Sequence, residues 1–340
     1  MGAGSFICGE ETALIRSMEG RRGMPYPRPE YPAVYGYRGM PTIVNNAETL
    51  ANVPVILAKG EGWFAGYGTE KSKGTKIFNL SGKIARKGII EVPYNTTLRQ
   101  IIFDIGGGIP DDNDFKAVLV GGPAGAFLGE AALDKPVDYE TINSIGASLG
   151  SGSLVVFDTN DCIVDSAKNV MAFNKAESCG ECVVCREGTA QVVEFLDDIS
   201  LGKSKADDVD LLLELGELMK ITSLCGMGKT ASNVILSSIN NFRDEYNAHI
   251  ARKRCSAKVC RGLIAYTIMP DTCTGCGECI KLCPAGAIAG GEKMIHIIDQ
   301  AKCNRCGSCL ASCPPGAIAK VSGRVPPGPK EPVPVGSWES

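Results

Sequence analysis

A large net charge of either sign is missing from this chain. Its 35 Lys and Arg residues face 38 Asp and Glu residues, a formal charge of −3, so no overall basic field recruits nucleic acid or an anionic membrane. Long apolar runs are missing too, and nothing approaches the roughly 20 residues of a membrane-spanning helix. The opening Met1-Gly2-Ala3-Gly4-Ser5 has neither a charged n-region nor an apolar h-region, which argues against a signal peptide and predicts a cytoplasmic location. Histidine is scarce, with two residues beside sixteen cysteines. The remaining composition, 44% apolar and 21% charged, is that of a globular chain, and 340 residues is about two domains' worth.

The placement of the cysteines decides between disulfides and metal. Cys8 and Cys162 stand alone, and the other fourteen lie between positions 179 and 313. A disulfide framework belongs to small secreted domains. Clustered C-x2-C repeats without a signal sequence read instead as iron–sulfur or zinc ligands in a reducing compartment.

Along the chain, residues 1–73 are loop-rich, with helices expected at Glu10–Glu19 and Asn46–Lys59 despite Pro54. Residues 74–130 carry β-rich runs at 76–80, 88–92 and 117–120, with a helix at Thr97–Ile105 before the last, an order that suggests a β-grasp module. Residues 131–165 form a return segment ending in the apolar run Ser153–Phe157. Helical periodicity takes over in residues 166–250. One face carries Val192, Phe195, Leu196 and Ile199, a second Leu211, Leu215 and Leu218, and a third Ile235, Ile239, Phe242 and Tyr246, which predicts a helical bundle. A linker at 251–270 precedes a repeat at 271–322, and the Pro-rich tail at 323–340 is expected to be disordered. The fold class expected is multidomain, α/β plus α+β.

The repeat holds the strongest motif. Cys273, Cys276, Cys279 and Cys283-Pro284 recur thirty residues on as Cys303, Cys306, Cys309 and Cys313-Pro314, the spacing of a two-cluster ferredoxin. Three thiolates on one tight loop grip three corners of a cubane, and the fourth ligand comes from the other half. One 4Fe–4S cluster is therefore expected on Cys273, Cys276, Cys279 and Cys313, and a second on Cys303, Cys306, Cys309 and Cys283. A zinc ribbon would need only four of these eight.

A third set, Cys179, Cys182 and Cys185 at the head of the helical bundle, needs a fourth ligand, for which Cys225 is the natural candidate. A third 4Fe–4S cluster is expected there, although spacing alone also permits zinc. His249, Cys255 and Cys260 suggest a zinc site with no evident fourth ligand, the alternative being two reduced thiols beside a helix end. His296 reads as ordinary packing, and Gly121–Gly125 as a turn rather than a phosphate loop.

The amino-terminal Gly-rich run does not fit G-x-G-x-x-G, so a Rossmann reading fails. Taken with Glu19–Gly23, Tyr31-Pro32-Ala33 and Thr42–Leu50, the run Gly2–Leu14 resembles the flavin subunit of respiratory complex I and its soluble relatives. The Ser178–Gly188 run with Cys225 matches that family's cluster site. With a two-cluster ferredoxin domain appended, the chain is similar to the beta subunit of NAD(P)-dependent, often electron-bifurcating, iron hydrogenases and related formate dehydrogenases. The resemblance implies that Phe6, Gly9, Glu10 and Glu11 lie over FMN and the nicotinamide, with Phe6 where Tyr is usual. It also implies that Tyr31 stacks on adenine in place of a Phe, and that Val44, Asn45, Asn46 and Thr49 form a second flavin-contacting stretch. The family's flavin domain begins upstream of the motif on which this sequence opens. A partial flavin pocket is therefore expected, in a fragment, in a chain completed by another, or in one that has lost flavin.

The function so implied is an oxidoreductase subunit. Electrons would pass from NAD(P)H through FMN and three clusters to a redox partner. The implied partners are a 2Fe–2S thioredoxin-like subunit, a hydrogenase or formate dehydrogenase catalytic subunit, and ferredoxin. The alternative is a flavin-free iron–sulfur electron-transfer and docking module.

Overall fold

The structure, a computed structural model, describes residues 4–338 and divides into two compact units. The first runs to Asp197 and takes in Ala206–Tyr246; the second comprises Asp198–Lys205 and the chain from Asn247 onward.

The first unit opens with α1 (Glu11–Met18), capped by the Glu10 carboxylate, which accepts from the backbone of Thr12 and Ala13 at 2.9 Å. Such a cap satisfies donors that the first turn otherwise orphans. Helix α2 (Ala47–Lys59) is capped by Asn46 and tolerates Pro54, and the short α3 (Glu61–Ala65) follows Gly60. Glu48 anchors α2 to the first strand, pairing with Lys76 and accepting from the Ile77 N–H at 2.7 Å.

The sheet comprises β1 (Thr75–Gly82), β2 (Gly88–Pro93), β3 (Phe115–Val120), β4 (Ala126–Leu128) and β5 (Ser153–Asp158), in the order β2-β1-β5-β3-β4. Strand β5 runs parallel to β1 and antiparallel to β3. It lies inside the segment expected to return to the flavin domain, yet it is the middle strand. Its buried Leu154, Val156 and Asp158 alternate with half-buried residues, as a strand covered on one face requires. The expected helix at Thr97–Ile105 contains a π-helical turn over Gln100–Ile105, whose Ile101 and Ile102 join Phe78, Leu80, Leu98, Val118 and Val120 in the core.

Between β4 and β5 lies α4 (Tyr139–Ser144), and the helical region follows as α5 (Ile163–Glu177), α6 (Val183–Leu201), α7 (Asp208–Thr222) and α8 (Gly226–Ile250). The face expected for α7 is corrected. Leu211 and Leu218 are exposed, while Val209, Leu212, Gly216 and Met219 are buried. With leucine at 211, 212, 213 and 215, periodicity supports more than one stripe, and glycine decides among them. A Cβ on Gly216 would come within 2.9 Å of Leu236, and one on Gly188 within 2.8 Å of Met219, so these helices meet where side chains are absent. Helix α8 also covers strand β4: Ser237 accepts from the Phe127 N–H at 2.9 Å, and Asn241 donates to the Phe127 carbonyl at 2.7 Å.

The second unit contains β6 (Ile264–Ile268), α9 (Glu278–Lys281), β7 (Ile288–Ala289), β8 (Met294–Ile295), β9 (Ile297–Ile298), α10 (Ser308–Ala311), β10 (Ile318–Ser322) and β11 (Val333–Pro334). Strand β6 falls in the expected linker, but it pairs antiparallel with β10, and its alternating Ile264, Tyr266 and Ile268 are buried. The tail expected to be disordered is corrected as well. Val333–Pro334 pairs with β8, and Val333 and Trp338 pack on the core of this unit, because the apolar residues spaced among the prolines find a strand edge. The last two tail positions, Glu339 and Ser340, lie outside the described residues.

Phe78→Ala is expected to destabilise the sheet by about 3–5 kcal/mol. Ile89→Ala, on the exposed face of β2, should stay within about 0.5 kcal/mol. Amide hydrogen exchange of β1 and β3 against denaturant checks the difference.

Candidate iron–sulfur, flavin and metal sites

The first thiol set sits where helices begin. Ser178 ends α5, Gly180 turns with φ +81°, Cys185 lies in the first turn of α6, and Cys225 immediately precedes α8. Backbone N–H groups aim at sulfur: Leu224 donates to Cys182 and Gly228 to Cys225, each at 3.4 Å. The Ser178 hydroxyl lies 3.6 Å from Cys185 Sγ. Two guanidinium groups hold the loop, Arg22 donating to the Cys179 carbonyl at 2.6 Å and Arg186 to the Gly180 carbonyl at 2.5 Å. Burial, and then the neighbouring Cys225, Cys182 and Cys179, push the Cys185 thiol up against the opposing Ser178 hydrogen bond. Cys225 is raised by burial and by Cys179 and Cys182. The four expected thiols are thus mutual neighbours, in an all-sulfur set beside positive charge and helix N-termini, which suits an anionic thiolate cluster.

In the second unit, burial and then Cys273, Cys313 and Cys276 push the Cys279 thiol up to about 11. Cys313, forty residues along the chain from Cys273, therefore stands with the first triplet, as the crossed ferredoxin pattern requires. The cavity these four sulfurs line is otherwise walled by Ile268, His296, Pro314, Ala317 and Ile318. Cys309 is raised by burial and by Cys303 and Cys306, and Cys283 accepts from the Ala287 N–H at 3.3 Å. The equivalent bond in the second half runs from the Ala317 N–H to Cys313 at 3.2 Å.

His249, Cys255 and Cys260 are buried, with ligand atoms within 4.8 Å of one another, and His249 Nε2 lies 3.4 Å from Cys260 Sγ. Zinc–sulfur bonds near 2.3 Å in a tetrahedron separate ligands by about 3.8 Å, so this set is compact enough for a single ion.

The flavin motif is more open. Gly2 and Ala3 lie outside the described residues. Phe6 packs edge-on against Phe173 with centroids 5.6 Å apart, and its N–H donates to Glu177 at 2.8 Å. Gly9 has open space around it. Glu10 and Glu11 both pair with Arg28 at 2.5 Å, so Glu10 serves as helix cap and ion-pair partner at once. Tyr31 is 71% exposed, Val44 half-buried, and Asn45, Asn46 and Thr49 exposed. A cavity of about 410 Å³ beside α2 is lined by Glu48, Asn52, Trp63, Phe64 and Tyr67 and contains none of these expected contacts. Sequence reasoning gave no role to Arg22 or Ser178, although both stand in the runs that carry the resemblance, and it did not single out Arg28. It also read as packing His296, whose Nδ1 lies 3.4 Å from Cys279 Sγ.

Residues 165–249 match the family model described as the NADH-ubiquinone oxidoreductase-F iron–sulfur binding region. Over this region the chain resembles the F subunit of NADH-ubiquinone oxidoreductase. Residues 1–55 match the Nuo51 FMN-binding domain, and residues 265–314 a 4Fe–4S dicluster domain. The chain is 51% identical over 295 residues to NADP-reducing hydrogenase subunit HndC of Solidesulfovibrio fructosivorans, covering 87% of this chain and 60% of that one. It is 38% identical over 263 residues to the F subunit of NADH-quinone oxidoreductase of Escherichia coli K12, covering 77% of this chain and 59% of that one. A solved NAD+-reducing NiFe-hydrogenase chain aligns with TM-score 0.68 and 36% identity, over 73% of this chain and 42% of that one. The chain thus spans about 60% of the length of these curated relatives. Among the described residues, no helix is long and apolar enough to cross a membrane.

Cys225→Ser is expected to remove or alter one cluster and leave the ferredoxin pair intact, lowering iron from about twelve toward about eight atoms per chain if the three are cubanes. Iron analysis with EPR of the dithionite-reduced protein checks it, and full retention of iron and of the native spectra would refute the ligand assignment.

Proposed function

We propose that this chain is part of an NAD(P)H-linked oxidoreductase subunit that passes electrons between nicotinamide, FMN and three 4Fe–4S clusters to a partner redox protein. The carrying observation is the crossed thiol set in which Cys273, Cys276, Cys279 and Cys313 line one cavity. Such a crossing is what two adjacent cubanes demand and a single zinc does not. The ligand sets proposed are Cys179, Cys182, Cys185 and Cys225; Cys273, Cys276, Cys279 and Cys313; and Cys303, Cys306, Cys309 and Cys283. When bound, FMN supplies exchange between hydride and single electrons, and the clusters carry electrons one at a time. The chain's own residues hold the cofactors in place, donate N–H groups to sulfur and exclude water, and none need act as an acid–base catalyst.

The similarity to hydrogenase and NADH-quinone oxidoreductase subunits favours as partners a hydrogenase or formate dehydrogenase catalytic subunit, a 2Fe–2S thioredoxin-like subunit or ferredoxin, with bifurcation as one mode. The sheet of β1–β5 fits a β-grasp (SLBB-like) module extending to residue 158. The motifs at Phe6–Glu11, Tyr31 and Val44–Thr49 supply one side of a flavin–nicotinamide pocket.

Exposure of Tyr31, Asn45, Asn46 and Thr49, with Glu10 engaged as a cap, favours a second reading, a flavin-free electron-transfer module. The two separate cleanly. The chain purified anaerobically is expected to carry about twelve iron atoms on either reading. Near-stoichiometric FMN on extraction, with NAD(P)H-dependent viologen reduction, supports the first and rules out the second; absence of both supports the second for this chain on its own.

A structural zinc is proposed on His249, Cys255 and Cys260. One zinc per chain is expected, lost in Cys255→Ser, and metal analysis finding no zinc in the parent protein would end the idea.

A further inference from the structure

His296 is one of two histidines in the chain, and no part of the electron path above uses it. It lies between β8 and β9 with 2% of its surface exposed. Its Nδ1 is 3.4 Å from Sγ of Cys279, while its Nε2 is buried without a hydrogen-bond partner. A sulfur bound to iron is a thiolate and only accepts, so the contact requires the proton on Nδ1 and leaves the lone pair on Nε2. The ring has little freedom to turn away. A Cβ on Gly290 would overlap its Cδ2, so the backbone lies flat against the imidazole edge. Away from Cys279, the ring borders a cavity of about 170 Å³ lined also by Thr267, Gln300, Val325 and Pro329. Gln300 Oε1 is likewise buried and unpartnered. A water occupies about 30 Å³, so this cavity has room for one to donate to the Nε2 of a neutral imidazole.

The contact breaks the symmetry of the repeat. The strand pairs Ile288–Ile298 and Ile318–Ile268 make Tyr266 the counterpart of His296, and its hydroxyl makes no hydrogen bond to a cysteine sulfur among the described residues, while the only other histidine is His249. Resting on the reading of these cysteines as cluster ligands, we propose that His296 donates Nδ1–H to the Cys279 thiolate and selectively raises the reduction potential of the cluster held by Cys273, Cys276, Cys279 and Cys313. A hydrogen bond to a ligating sulfur withdraws negative charge and favours the reduced, more negative cluster. The two halves of a duplicated domain thereby become inequivalent carriers, and an electron shared between them is drawn toward the first-repeat cluster.

The test uses the full chain, purified anaerobically and titrated potentiometrically with EPR detection. His296→Phe should lower the midpoint of one ferredoxin cluster and leave the other midpoints and the iron content unchanged. His296→Asn, whose amide N–H lies near the place of Nδ1–H, should recover most of the shift. Unchanged midpoints at full iron content in His296→Phe would overturn the inference while leaving the ligand assignment standing. Should His296→Phe fail to assemble, the parent protein decides. With ¹⁵N-labelled histidine, pulsed EPR is expected to show one histidine nitrogen coupled to a reduced cluster, and the coupling should vanish in His296→Asn. No coupling in a fully loaded protein, or coupling that persists in His296→Asn, overturns the proposal. Absence of 4Fe–4S signals from the parent protein overturns the cluster reading and this inference with it.

Discussion

Sulfur gathered against sulfur away from water is the constraint on which the two units are built. Cys185, Cys225 and Cys279 are all pushed above the ordinary thiol range, first by burial and then by the thiols around them. Without a cation such sets resist ionisation, because each new thiolate would be poorly solvated and repelled by the next. Iron or zinc reverses that balance, and metal binding becomes part of the folding energy. The surrounding backbone is already arranged for the charged form. N–H groups of Leu224, Gly228, Ala287 and Ala317 point at Cys182, Cys225, Cys283 and Cys313.

In the first unit the helices bring the thiols of Cys179, Cys182, Cys185 and Cys225 together. Cys185 opens α6 and Cys225 precedes α8, so both lie at the positive ends of long helices. Glycine at 188 and 216 lets these helices approach closely, and a Cβ at Gly228 would reach 3.4 Å from Cys185 Sγ. The sheet braces the assembly. Helix α8 satisfies both backbone groups of Phe127 on β4, and Glu245 from the same helix pairs with Lys116 on β3 and accepts from the Ile163 N–H at the start of α5. A displacement of α8 would therefore disturb the sheet and the neighbourhood of Cys225 together.

Much of this was legible in order of residues. The strands at 75–82, 88–93 and 115–120 and the helices at 11–18 and 47–59 follow from alternation, periodicity and Gly or Asn punctuation. The misread elements share a cause. Helix α7 carries leucines on more than one stripe, and only the glycine contacts with its neighbours choose the buried one. Strand β5 and the tail strand β11 pair with partners far away in sequence, which no local pattern announces. The candidate flavin residue Glu10 shows the same limit, since its sequence context is equally that of a ligand loop and of a helix cap, and Arg28 and the Thr12 and Ala13 amides make it a cap.

The sequence by itself determined the ligand chemistry, the count of thiols and the duplication of the ferredoxin half, because three cysteines two residues apart on one loop can reach a single cluster without help from the rest of the chain. Spacing also pointed to Cys225 and to the crossing of Cys313, which the structure brings beside Cys185 and Cys279, but tertiary structure alone showed that a histidine which looked like packing meets a cysteine sulfur. The reason is physical. Spacing governs what a short loop can grip, whereas the approach of distant side chains depends on which surfaces bury each other, and that is set by the packing of the whole unit.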